Sequence, residues 1–113
     1  MVAAYVPDEG DIVWLDFTPH SGHEQAGRRP AVVLSPKVYN SRSGLLVCVP
    51  ITNKIKGYPF EVVLAGNGAT GVVLADQVKS LDWRTRKAEC KGGATVAEIG
   101  EIKARIKALL GLG

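Results

Sequence analysis

The chain has little of what defines several large classes of protein. It has two cysteines, Cys48 and Cys90, far apart and with no histidine at ligand spacing. That argues against both a disulfide scaffold and a zinc module, and no metal or cofactor site is expected. Cys48, inside Leu45-Leu46-Val47-Cys48-Val49, reads as a small buried apolar residue. No apolar run approaches the ~18 residues of a membrane-spanning helix. The first ten residues carry Asp8 and Glu9 where a secretory signal would have a basic start and an apolar centre, so the expected compartment is the cytoplasm, with no membrane partner. Charge of one sign is not in large excess: 14 Lys and Arg against 11 Asp and Glu leave +3. This permits an anionic partner without requiring one. Repeats, low-complexity tracts and linker-like composition are absent.

What is present is 113 residues with 46% hydrophobic and 22% charged side chains, the composition of one globular domain over residues 1–113. Asp11-Ile12-Val13-Trp14-Leu15-Asp16-Phe17, between Gly10 and Pro19, reads as a first strand. Residues 18–29 hold both histidines, glycines and several charges without periodicity and read as a loop of about 10 residues or a bent hairpin. Pro30-Ala31-Val32-Val33-Leu34-Ser35 is a buried strand, residues 36–43 hold a short helix stopped at Gly44, and residues 45–51 form another buried strand. After a loop over residues 54–59, further strands are expected at 60–64, 72–75 and 77–83, with a Gly66-Asn67-Gly68 turn between the first two. Thr95-Val96-Ala97-Glu98 has capping-box spacing, and Ile99, Ile102, Ile106 and Leu109 recur at helical steps. The expected class is therefore mainly β, a small barrel or sandwich with strands over about 11–83, closed by a helix over 96–110 that stops at Gly111.

Three polar constellations stand out. The loop Gly22-His23-Glu24-Gln25-Ala26-Gly27-Arg28-Arg29 gathers a carboxylate, an imidazole, an amide and guanidiniums beside glycines. Cleaving RNA without a metal requires removing the 2′-hydroxyl proton, stabilising charge on pentavalent phosphorus and protonating the departing 5′-oxygen. Glu24 or His23 suits the first task and Arg29 the second; a surface loop with locally paired charges is the plainer reading. Next, Thr52, Asn53, Lys54, Lys56 and Tyr58 interleave basic and aromatic groups as single-stranded nucleic-acid binders do, although a hairpin loop would look the same. The third set is Asp76-Gln77 followed by Lys79, in which Asp76 orients an arginine or caps a turn. The stretch from Gly66 to Gly71 lacks Gly-Lys-Ser/Thr and does not open a helix, so it reads as turn chemistry and not as a phosphate cradle.

At these places the chain resembles the MazF family of toxin endoribonucleases, which includes the PemK and Kid branch. The resemblance is carried by Tyr5-Val6-Pro7-Asp8, Gly10 to Phe17, Glu24-Gln25-Ala26-Gly27, Arg29-Pro30-Ala31-Val32-Val33-Leu34-Ser35-Pro36, Cys48-Val49-Pro50, Lys56 to Leu64, and Leu74-Ala75-Asp76-Gln77-Val78-Lys79-Ser80. It implies an SH3-like β-barrel with a C-terminal helix, assembled as a homodimer. It further implies the toxin of a type II toxin–antitoxin pair, cutting single-stranded mRNA without a metal at a short motif such as ACA and leaving 2′,3′-cyclic phosphate and 5′-hydroxyl ends. The partner it implies is a MazE-like antitoxin whose acidic, extended C-terminal segment occupies the RNA path. By position the family's catalytic residues fall on Arg29 and Thr52, with Glu24 tied to activity; Gln25, Arg28, Asn53, Lys54, Lys56, Tyr58, Gln77 and Lys79 are the expected RNA contacts. The PemK-like acid–base set matches at His23 and Asp76, but its arginine is replaced by Leu74, which favours the Arg29/Thr52 arrangement and leaves the base open between Glu24 and His23. Two alternatives are a non-catalytic toxin of the same fold acting on DNA gyrase and a non-catalytic single-stranded nucleic-acid binder. The first is disfavoured because the chain ends Leu109-Leu110-Gly111-Leu112-Gly113, without the C-terminal Trp of those toxins.

Overall fold

The structure is a computed structural model that describes residues 4–17 and 27–112. Within them the chain order is β1 (Asp11–Phe17), β2 (Gly27–Val33), α1 (Lys37–Ser43), β3 (Leu45–Thr52), β4 (Glu61–Val63), β5 (Val72–Leu74), β6 (Lys79–Asp82), β7 (Glu89–Gly93) and α2 (Val96–Leu110). The strands form a seven-stranded sheet in the order β4-β5-β3-β2-β1-β7, with β6 also on β3. Every pairing among them is antiparallel. The mainly β class with a C-terminal helix is as the sequence predicted. β3 changes partner midway along one edge: Leu45 to Cys48 pair with β6, whereas Ile51 and Thr52 pair with β5.

The near-continuous apolar runs of β1, β2 and β3 are explained by a sheet buried on both faces. Alternate residues feed two separate cores. Ile12, Val32, Val49 and Ile51 join Val62, Leu64, Val73, Ala75 and Ile102 in one. Val13, Leu15, Ala31, Val33 and Cys48 join Leu46 and Trp83 in the other. α2 covers the first core through the fully buried Ile102, a burial worth roughly 1.5–3 kcal/mol. The helix starts at the predicted capping box, in which the Glu98 amide donates to the Thr95 hydroxyl and the Thr95 amide donates to Glu98 Oε1 at 2.7 Å. The second Glu98 oxygen accepts the Ala65 amide at 2.6 Å, so the same carboxylate ties the helix start to the chain leaving β4. Gly111 closes the helix in the left-handed conformation, as predicted.

Two differences from the sequence reading bear on function. β2 begins at Gly27, so Arg28 and Arg29 lie on a strand paired with Asp16 and Leu15 and not in the preceding loop. β7, paired with β1, lies beyond residue 83, where no strand was expected. Its Glu-Cys-Lys-Gly-Gly sequence has no β-branched or aromatic residue, and the free edge of β1 supplies what propensity does not. No helix among the described residues is long and apolar enough to cross a membrane.

Candidate active site

The pairing of β2 with β3 builds the site. Val33, Val32 and Ala31 lie opposite Cys48, Val49 and Pro50, and just beyond the end of this ladder Arg29 and Thr52 both line one cavity. There the sheet opens into a cavity of about 620 Å³ lined by Arg28, Arg29 and Pro30 of β2, Ile51 to Lys54 at the end of β3, and Trp14 of β1. Gly66, Gly68, Ala69 and Thr70 complete the lining. Gly71 allows β5 to press against this corner: a Cβ there would stand 2.2 Å from the Thr52 carbonyl oxygen.

The side chains in the cavity differ in how they are held. The Thr52 hydroxyl accepts the Lys54 amide at 3.1 Å, which leaves its own proton to donate outward. The Arg28 guanidinium donates to Asp16 Oδ1 at 2.8 Å, to the Trp14 carbonyl at 2.8 Å and to the Lys87 carbonyl at 2.6 Å. Arg28 thereby ties β2, β1 and the approach to β7 together. Most of its donors are spent on protein, and its charge remains at the cavity wall. Arg29, exposed and cationic, lines the same space. Arg29 and Lys54 bring positive charge to one side of the cavity, the charge of Arg28 beside them is offset by its ion pairs with Asp16 at 2.8 Å and Glu89 at 3.7 Å, and Thr52 and Asn53 add neutral hydrogen-bonding groups. Such a set can bind a phosphate and stabilise charge on it.

Of the other expected residues, His23, Glu24 and Gln25 lie outside the described residues. Lys56, Tyr58, Asp76, Gln77 and Lys79 are absent from the cavity lining. The backbone amides of Lys56 and Gly57 donate to the Glu61 carboxylate at 2.9 and 3.0 Å, and the Lys56 ammonium sits 5.8 Å from the centre of the Tyr58 ring. Asp76 and Gln77 are exposed beyond β5. Lys79 pairs with Cys48 across β6 and β3 and places its ammonium 5.9 Å from the Phe17 ring centre. Cys48 itself is buried, and desolvation pushes its thiol up to about 12, which makes it inert at neutral pH. Sequence reasoning missed Trp14 and the 66–70 turn as cavity residues; the density of glycine between residues 66 and 71 was the available signal.

Known proteins share this architecture. A family model described as PemK-like, MazF-like toxin of type II toxin–antitoxin system matches residues 8–110. The Endoribonuclease toxin MazF of Escherichia coli strain K12 is 58% identical over 98% of this chain and 100% of its own length. Endoribonuclease toxin ChpB of the same strain is 35% identical over 91% of this chain and 93% of its own. A crystal structure of a MazE-MazF complex from Deinococcus radiodurans superposes with a TM-score of 0.91 at 53% identity, covering 97% of this chain and 100% of that one. Matched along nearly its whole length in both sequence and fold, the chain belongs to the PemK-like, MazF-like toxins of type II toxin–antitoxin systems.

Proposed function

We propose that this chain is an endoribonuclease toxin that cuts single-stranded mRNA in the cytoplasm at a short motif, without a metal, as a homodimer. The observation that carries the reading is the meeting of Arg29 and Thr52 at one end of the β2–β3 pair, in a cavity that also holds Arg28 and Lys54. In the reaction the 2′-oxygen attacks phosphorus, a 2′-O–P bond forms and the P–O bond to the 5′-oxygen breaks. The 2′-hydroxyl proton passes to a base, for which Glu24 and His23 are the candidates, and a proton is delivered to the departing 5′-oxygen. The products are a 2′,3′-cyclic phosphate and a 5′-hydroxyl. Arg29 stabilises the charge on the pentavalent phosphorus and is the candidate proton donor to the departing oxygen; a guanidinium stays protonated and is a poor base. Thr52 donates a hydrogen bond to the same phosphate.

The Escherichia coli relative at 58% identity is named an endoribonuclease, and the Deinococcus structure is of MazF with MazE. By the same logic this chain has a MazE-like antitoxin, whose acidic extended segment competes with RNA for the Arg28/Arg29/Lys54 side of the cavity. The test is incubation of the purified protein with a long single-stranded RNA in EDTA, followed by mapping and chemical typing of the ends. Cuts at one recurring motif with cyclic phosphate ends support the reading. Intact RNA from folded protein overturns it and favours a non-catalytic binder or a gyrase-directed toxin.

A further inference from the structure

The turn between β4 and β5 supplies four uncharged residues of the cavity lining. Gly66, Gly68, Ala69 and Thr70 face the cavity together with Trp14, while the cationic groups come from β2 and the end of β3. A phosphate suits the cationic side, and a nucleobase with its sugar suits the side made of an indole, a methyl, a hydroxyl and peptide groups. The position of the turn therefore decides the shape of the space in which a base is accepted.

What fixes that position is a contact with β7. A Cβ built on Gly92 would lie 1.8 Å from the Asn67 carbonyl oxygen and 2.6 Å from its carbon. Gly92 is not among the glycines with positive φ, so its missing side chain serves this approach and not an unusual backbone conformation. Next to it the Gly93 amide donates to the same Asn67 oxygen at 3.1 Å. The Trp14 indole N–H reaches the Gly68 carbonyl at 3.4 Å, and Glu98 holds the Ala65 amide at the start of the turn. Gly93 offers a built-in contrast, because its nearest atom to an added Cβ is the Gly10 oxygen at an ordinary 3.7 Å.

We propose that Gly92, which does not itself line the cavity, is a positioning residue for substrate specificity: by having no side chain it seats the 66–70 turn against Trp14 and so sets which nucleotide is accepted beside the scissile phosphate. This rests on the ribonuclease reading above. The experiment compares wild type, Gly92→Ala and Gly93→Ala on one long single-stranded RNA, with cut sites mapped and kcat and KM measured at the preferred site. Acrylamide quenching of tryptophan reports Trp14 separately, since Trp83 is buried and bonded to the Asn40 carbonyl. Gly92→Ala is expected to broaden or shift the set of cut sites, to raise KM about tenfold with a smaller change in kcat, and to make Trp14 more quenchable. Gly93→Ala is expected to match wild type in all three.

If wild type cuts and Gly92→Ala keeps its sites, its KM and its quenching, the proposal is overturned while the ribonuclease reading stands. Failure of wild type to cut overturns both. Should Gly92→Ala not fold, Glu98→Gln loosens the turn from its other end: a changed cut-site spectrum supports the proposal, and an unchanged one overturns it.

Discussion

Two polar regions singled out in the sequence have different fates in the fold. Arg29 and Thr52, separated by 22 intervening positions in the chain, line one cavity because β2 and β3 pair antiparallel as far as Ala31 and Pro50 and both residues lie just beyond that end of the ladder. Asp76, Gln77 and Lys79 sit close together in sequence, yet they lie on an exposed turn and on β6, which joins β3 at its opposite half. Proximity in sequence placed the second group on the surface, whereas strand register assembled the first. The cavity in this fold is thus a property of strand ends that come together, with a turn from elsewhere in the chain completing its lining.

The contrast can be broken by substitution. Replacing Arg29 by Ala is expected to lower cleavage at least ~100-fold with an unchanged melting curve, the usual order for loss of one donor to a charged transition state. Lys54→Ala, at the cavity wall, should raise KM several-fold and flatten the salt dependence of RNA binding by about 0.7 in log–log slope, as one phosphate contact is lost. Lys79→Ala should leave that slope unchanged. Asp76→Asn is expected to change cleavage by no more than about twofold, the size of an ordinary surface substitution. A fall comparable to that of Arg29→Ala would move the chemistry to the second region.

Cys48, opposite Lys79 on β3, sharpens the comparison at the side of the sheet remote from the cavity. Burial raises its thiol from 9.0 to about 12. Between those values the folded chain keeps a proton that the unfolded chain has released, so this residue's contribution to stability is present below pH 9 and is lost as pH rises toward 12. Denaturation midpoints for wild type should therefore fall more steeply over that window than those of Cys48→Ala. In a thiol-labelling assay at neutral pH, the exposed Cys90 should react at once and Cys48 only on unfolding.

Much of the fold was legible in the sequence because local pattern and tertiary role agree there. β1, the buried cores of β2 and β3, and α2 with its Thr95/Glu98 box all follow from periodicity and capping. The start of β2 at Gly27-Arg28-Arg29 and the whole of β7 do not, since glycine and charge carry no strand preference and pairing with β1 creates both. The site was legible in part: Arg29, Thr52, Asn53, Lys54 and Arg28 share the cavity, whereas Trp14 and the 66–70 turn enter it only through long-range packing. The glycines of the 66–70 stretch mark it as a turn able to approach other backbone closely, whereas its approach to β7 at Gly92 and its place beside Trp14 are long-range contacts.

The central claim is that Arg29 and Thr52 act on one phosphate. A double-mutant cycle of Arg29→Ala and Thr52→Val, read as single-turnover cleavage of one RNA, tests it most directly. Groups acting as a unit lose function non-additively, so the double variant should be little slower than Arg29→Ala alone. Losses that multiply in full, or an Arg29→Ala protein that cuts at the wild-type rate, would contradict the account.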